Sequence, residues 1–186
     1  MNRPTVSGIR LFFSLLVGVA VLLPAKLPGQ ELDATVRAAY LRAVADHFQV
    51  PVEEVNLLGE WDLQTDEIPV VLFLADRAGV SPDALAALRR NGGAWREIAG
   101  RYGLGVGAFY VPLPEGGPFG VLYRAYTEFR NLPRGQWNTV ELTDVEITAM
   151  VNVRVLSEHM DVTPVRVLRS REEAGSFAAG FPSLLG

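Results

Sequence analysis

An all-α fold is what this sequence predicts: two related helical units packed around one core and joined by a loop of proline, glycine and aromatic residues. Three observations lead there. Apolar residues recur at helical spacing through most of the chain, helix starts carry Ser-Pro, Thr-Pro and Thr-x-x-Glu punctuation, and one such pattern occurs twice at a constant separation of 82 residues.

The chain opens with Arg3 and Arg10 ahead of an apolar run from Leu11 to Leu23 that stops at Pro24, the charged and apolar regions of a secretory signal. That run is shorter than the roughly 20 residues a bilayer-spanning helix needs. Residues 1–29 are therefore expected to be a signal peptide, cleaved after Ala25 or Gly29, and residues 30–186 a single extracytoplasmic domain, periplasmic or secreted, with no stable membrane span after cleavage. Cleavage after Gly29 removes Arg3, Arg10 and Lys26, taking the 17 basic residues to 14 against 21 acidic ones. The resulting net charge of about −7 opposes attraction to nucleic acid and to anionic membranes, both of which need clustered Lys and Arg. The chain has no cysteine, which excludes thiol catalysis, cysteine zinc sites and disulfides, and a domain of this size can rely on its core alone.

The first helical half is expected over 30–103. Between Glu31 and Phe48, Leu32, Val36, Tyr40 and Val44 stand at i+4 steps and form the apolar stripe of an amphipathic helix. A shorter helix follows Pro51 through Glu53, Glu54, Val55 and Leu58 to Gly59. Thr65 or Asp66 is placed to cap the next run, Ile68 to Ala75, which is apolar on every side and ends before Gly79, as a central helix should. Ser81 at the N-cap, Pro82 at the first helical position and Asp83 in the first turn open another helix, with Leu85 and Leu88 facing inward. Removing the Ser81 hydroxyl is expected to cost about 1 kcal/mol. Asn91-Gly92-Gly93 breaks this helix, and Trp95, Ile98 and Tyr102 define a further one ending at Gly103.

Residues 104–118 form the loop, and the second helical half spans 119–186. A helix is expected from Phe119 to Asn131, then a break at Pro133 and Gly135 and an extended piece from Thr139 to Leu142. Thr143 and Glu146 make a capping box that opens a helix from Asp144 to about His159, with Ile147, Met150, Val151, Val155 and Leu156 in the core. Thr163-Pro164 starts another.

Val80-Ser81-Pro82 recurs as Val162-Thr163-Pro164, and at the same separation Leu85 matches Val167, Arg89 matches Arg171, Gly93 matches Gly175 and Trp95 matches Phe177. Each copy follows a long apolar helix opened by Thr-Asp, at Thr65-Asp66 and Thr143-Asp144. Helix-start grammar alone does not require an Arg, a Gly and an aromatic at fixed offsets, so duplication is expected, with paired helical units rather than a solenoid.

Ala78-Gly79-Val80-Ser81-Pro82 followed by Leu85 and Leu88 resembles the turn of helix-turn-helix regulators, over about residues 75–88, and implies DNA binding. The helix after that turn reads Asp83-Ala84-Leu85-Ala86-Ala87-Leu88, however, with almost nothing to meet base edges or phosphates. Gly93-x-Trp95-x-x-Ile98-Ala99 resembles a turn of exported bacterial helical proteins of no assigned activity.

The chemistry the chain can support is narrow. No serine lies in a G-x-S-x-G elbow or an S-x-x-K motif, and Lys26 is the only lysine. His47 and His159 sit near the carboxyl ends of helices, where a positive charge favours the dipole, and Ser157 and His159 point about 200° apart on a helix. Carboxylate pairs at Glu53-Glu54, Asp66-Glu67 and Glu172-Glu173 read as solvated faces and lack the pattern of a calcium loop. Arg166, Arg169 and Arg171 make a small basic cluster offset by Glu172 and Glu173. No catalytic residue, metal site or cofactor is expected. The candidate contact residues are Phe109, Tyr110 and Phe119 of the loop, which either seal the seam between the halves or line a groove for an envelope or extracellular protein, peptide or glycan. The functional expectation is noncatalytic binding or assembly outside the cytoplasm, with a cell-envelope hydrolase and a helix-turn-helix regulator as alternatives.

Overall fold

The computed structural model describes residues 28–115, 117 and 119–186, so the expected signal segment, apart from its last two residues, lies outside the described residues. The fold is all-α, and no strand occurs among the described residues. Its helices are α1 (Pro28–Phe48), α2 (Val52–Gly59), α3 (Ile68–Ala78), α4 (Pro82–Arg90), α5 (Trp95–Arg101), α6 (Tyr123–Asn131), α7 (Asp144–Met160), α8 (Pro164–Ala174) and α9 (Phe177–Gly180). Short 3-10 turns at Thr65–Glu67, Val106–Ala108, Gly120–Leu122, Arg134–Thr139 and Phe181–Leu184 connect them.

Two helices have no solvent side for most of their length, and they form the axis of the domain. In α3 every residue from Ile68 to Ala75 is buried; in α7 Ile147, Met150, Val151, Val153, Val155 and Leu156 are all fully buried. A helix that is apolar all round belongs inside others. The pair pack on each other and receive α1 through Tyr40 and Val44, both fully buried. One polar side chain sits at this junction. Asn152 on α7 is fully buried, donates to the carbonyls of Thr148 at 2.8 Å and Asp66 at 2.7 Å, and accepts from the Tyr40 hydroxyl. All three of its amide contacts are made, so its burial leaves nothing unpaired.

The caps depart from expectation in two places. Gln64, not Thr65 or Asp66, holds the N-cap position before α3: the chain winds as a 3-10 turn there, and the Glu67 carboxylate reaches back to the Gln64 amide at 3.3 Å. Asp66 is left to point elsewhere. Ser81 occupies the N-cap of α4 with extended backbone, yet its exposed side chain makes no capping hydrogen bond. Thr143 and Thr163 do cap, each accepting at 3.3 Å from the amides of Glu146 and Arg166. In the second half α6 starts at Tyr123 rather than Phe119, because Phe119 turns into the core at 4 % exposure and Gly120 bends the chain through φ +45°. Of the expected extended piece at 139–142, Thr139 ends a 3-10 turn and Val140 after it has extended backbone, but no strand forms there.

Among the described glycines, Gly180 marks the tightest approach of one backbone to another. A Cβ there would lie 2.5 Å from the carbonyl oxygen of Ser170, where α9 crosses α8. Because the obstruction is backbone, relief requires moving a helix. Gly180→Ala should cost about 1–3 kcal/mol, readable by denaturant titration. The caps give a second test by the same measurement: Ser81→Ala should cost only a few tenths of a kcal/mol, whereas Thr143→Ala should cost about 1 kcal/mol.

Candidate functional site

The starts of α3 and α7 lie side by side, and each sends its aspartate across to the other half of the chain. Asp144 accepts from the Trp95 amide, the first residue of α5, at 2.7 Å, and from Arg89 at 2.5 Å. Asp66 accepts from the amides of Phe177 at 2.9 Å and Ala178 at 3.0 Å, which open α9. A carboxylate suits such a place because the first amides of a helix have no partner within it. Trp95 and Phe177 are the aromatics matched in the sequence repeat, and each ring has the repeat's arginine over it, Arg89 at 5.0 Å and Arg171 at 5.6 Å.

Between these crossed contacts lies a cleft of about 400 Å³. Gln64, Asp66 and Glu67 border one side, Asp144, Val145 and Thr148 a second, and Arg171, Gly175, Ser176 and Phe177 close it. Most of its charges are committed. Arg89 donates to Glu67 Oε1 through Nε at 2.9 Å and Nη2 at 2.5 Å, to Asp144, and to the Gly93 carbonyl at 3.0 Å. Burial works against the Arg89 charge, but the hydrogen bonds to Asp144 and Glu67 outweigh it and hold its pKa above the ordinary arginine value. Glu67 Oε1 also takes the Trp95 indole N–H at 3.1 Å. For Asp66, burial raises the pKa from its ordinary 3.8, and the two backbone amides only partly offset that.

Arg171 is placed differently. It is half-buried at the cleft, and among the described residues its guanidinium has no carboxylate within 4.0 Å and no hydrogen bond. The residue after Asp144, where Glu67 follows Asp66, is Val145, 55 % exposed, and the capping-box Glu146 is bound by Arg124 instead.

The loop residues singled out in the sequence do not line the cleft. Phe109 and Phe119 are 1 % and 4 % exposed. Phe109 meets Phe73 at 5.7 Å, Phe119 stacks on Tyr126 at 5.6 Å, and half-buried Tyr110 stacks on Tyr126 at 5.5 Å and touches Trp137 at 4.4 Å. The Tyr126 hydroxyl donates to the Val111 carbonyl and closes the loop over these rings. In this arrangement Phe109 and Phe119 are buried, and Tyr110 half-buried, among other aromatic rings.

The histidines share a third region. His47 and His159 have ring centroids 6.5 Å apart, and His47 Nε2 is 3.9 Å from Glu158. Burial lowers the His47 pKa, which Glu158 opposes. Ser157 bonds the Arg154 carbonyl and is not paired with His159. Arg154 donates to the Tyr110 carbonyl at 2.7 Å, tying α7 to the loop, while its buried Nε has no hydrogen-bond partner among the described residues. No group of three or more His, Cys, Asp or Glu among the described residues is arranged to hold a metal ion.

Comparison with family models, with curated proteins and with solved structures gave no match. The cleft therefore has to be read from its own chemistry. The sequence matches Arg89 with Arg171 and Trp95 with Phe177 and places Asp66 as a cap for its own helix; the crossed contacts of Asp66 and Asp144 are not foreseen by it, although Thr-Asp recurs ahead of both segments.

The raised pKa of Asp66 sets a pH dependence. The folded state holds the proton more tightly than the unfolded chain, so the stability this group contributes is full below pH 3.8 and is lost as pH rises through its folded-state pKa. The Tm advantage of wild type over Asp66→Asn should therefore shrink as pH climbs through that window, and a thermal melt series of the two proteins checks the sign.

Proposed function

We propose that this chain is an exported helical domain that acts by noncatalytic binding outside the cytoplasm, with the cleft between the starts of α3 and α7 as its contact face. The observation that carries the reading is the occupancy of the cleft's acids: Asp66 is held by two backbone amides, and Glu67 and Asp144 by Arg89 and Trp95. A general acid or base has to be available to a reacting group, and these carboxylates are engaged in holding helices. What the cleft offers a partner instead is shape, the exposed Val145, and Arg171. Export is supported by the n-region and h-region at residues 3–23. No helix among the described residues is long and apolar enough to cross a membrane.

We also infer that the two halves descend from a duplication. Supporting this, residues matched in sequence play matched parts: Arg89 and Arg171 each lie over the aromatic six residues on, and Asp66 and Asp144 each cap the short helix of the opposite half.

Expression of the full-length chain in a bacterium, fractionation and intact-mass measurement test export. A mass corresponding to cleavage after Ala25 or Gly29, found outside the cytoplasm, is the expected result; an uncut soluble cytosolic chain would sink the reading.

A further inference from the structure

The two arginines at matched positions are in different states, and the difference is a missing carboxylate. Arg89 is gripped by Glu67 on two of its nitrogens and by Asp144 on a third. Arg171, over its own aromatic ring in the same way, has lost both equivalents. Asp66 spends its two oxygens on the amides of α9, and the residue beside Asp144 is a valine. A half-buried guanidinium has already given up part of its hydration, so a carboxylate reaching it would form a charge-assisted, two-pronged contact stronger than one in open solvent.

From this geometry we propose that Arg171 is the anchor of a ligand site in the cleft, taking a single carboxylate on a short branched apolar stem, with the stem lying against Val145. The ligand's carboxylate would stand where Glu67 stands for Arg89. The rest of the molecule narrows the class. Asp66 lies near enough to Arg171 for the two charges to interact, and the mature chain carries an excess of acidic residues, so a polyanion is repelled while a monoanion pays a smaller repulsion. The exposed Val145 at the edge of the cleft favours an apolar substituent over a hydroxylated one. This chemistry is shared by a branched-chain organic acid and by the carboxyl terminus of a peptide ending in leucine or valine. The proposal rests on the cleft being the contact face.

The test uses the mature protein and three probes, isovalerate, its neutral analogue isovaleramide, and N-acetyl-alanyl-leucine, followed by NMR shifts of the Gly175 and Ser176 amides. Isovalerate should bind saturably and at least about tenfold more tightly than isovaleramide. Arg171→Gln should abolish that preference while Arg171→Lys keeps part of it. Val145→Glu, which supplies the carboxylate from within the chain, should also abolish binding and raise Tm by about 2 °C, and the rise should vanish when combined with Arg171→Gln. Tighter binding of the peptide than of isovalerate would assign the site to a chain terminus; equal binding would assign it to the small acid. Equal affinity for acid and amide, or unchanged affinity in Arg171→Gln, would overturn the carboxylate assignment and leave the cleft as a contact face. Saturable shifts from none of the probes would overturn the ligand site while leaving the cleft's reading as a contact face to its own test. Loss of Tm in Arg171→Gln as large as in Arg89→Gln would make Arg171 structural and also end the proposal.

Discussion

The fold depends on an exchange of caps between its halves: Asp66 of the first holds the start of α9 in the second, and Asp144 of the second holds the start of α5 in the first. Neither aspartate would be free to do so if it capped its own helix. Gln64 and Thr143 with their partner glutamates take over the local task and release the next carboxylates for the distant one. Short helices such as α5 and α9 cannot sustain themselves on propensity, since nucleation is costly and few internal hydrogen bonds repay it. Their first amides find acceptors only when α3 and α7 are already side by side. The Asn152 amide fixes that adjacency, reaching from the middle of α7 to the Asp66 carbonyl. The Asn152 contacts and the two crossed aspartates thus specify how two greasy helices, which could slide on each other, are registered.

How far this was readable from residues alone differs by kind of interaction. Caps and periodicity are local, so α7 from Asp144, its inward face and the breaks at Gly79 and Gly93 could be placed directly. The seam rings were visible as a cluster, but Tyr126 and Trp137, which complete it, come from elements whose neighbours only folding supplies. Ser81 shows the limit of local grammar: the N-cap position is right and the backbone is extended, yet the hydroxyl faces solvent, because a cap bond needs a side-chain rotamer that sequence does not encode. Asp66 is the opposite case. It carries the residue type of a cap and performs a capping role, but for a helix more than a hundred residues away. The matched spacing of Thr-Asp, Arg and aromatic residues was the one sequence feature that bore on that long-range relation.

The composition of the charged residues follows from the same economy of contacts. After Lys26 every basic side chain other than the histidines is arginine. Several of these do what a lysine could not. Arg89 joins Glu67, Asp144 and the Gly93 carbonyl; Arg124 joins Glu128, Glu146 and the Glu141 carbonyl; Arg166 holds the carbonyls of Ser183 and Gly186 at the chain's end. A planar fork with five donors can tie three elements at once, whereas an ammonium is a single point at the end of a flexible stem. In a chain with no disulfide available, such multi-element ties are the covalent staple's nearest substitute. Against that background Arg171 stands out: it is half-buried, lies over the Phe177 ring, and among the described residues makes no hydrogen bond or ion pair, while the residue beside Asp144 at the cleft is a valine rather than a glutamate.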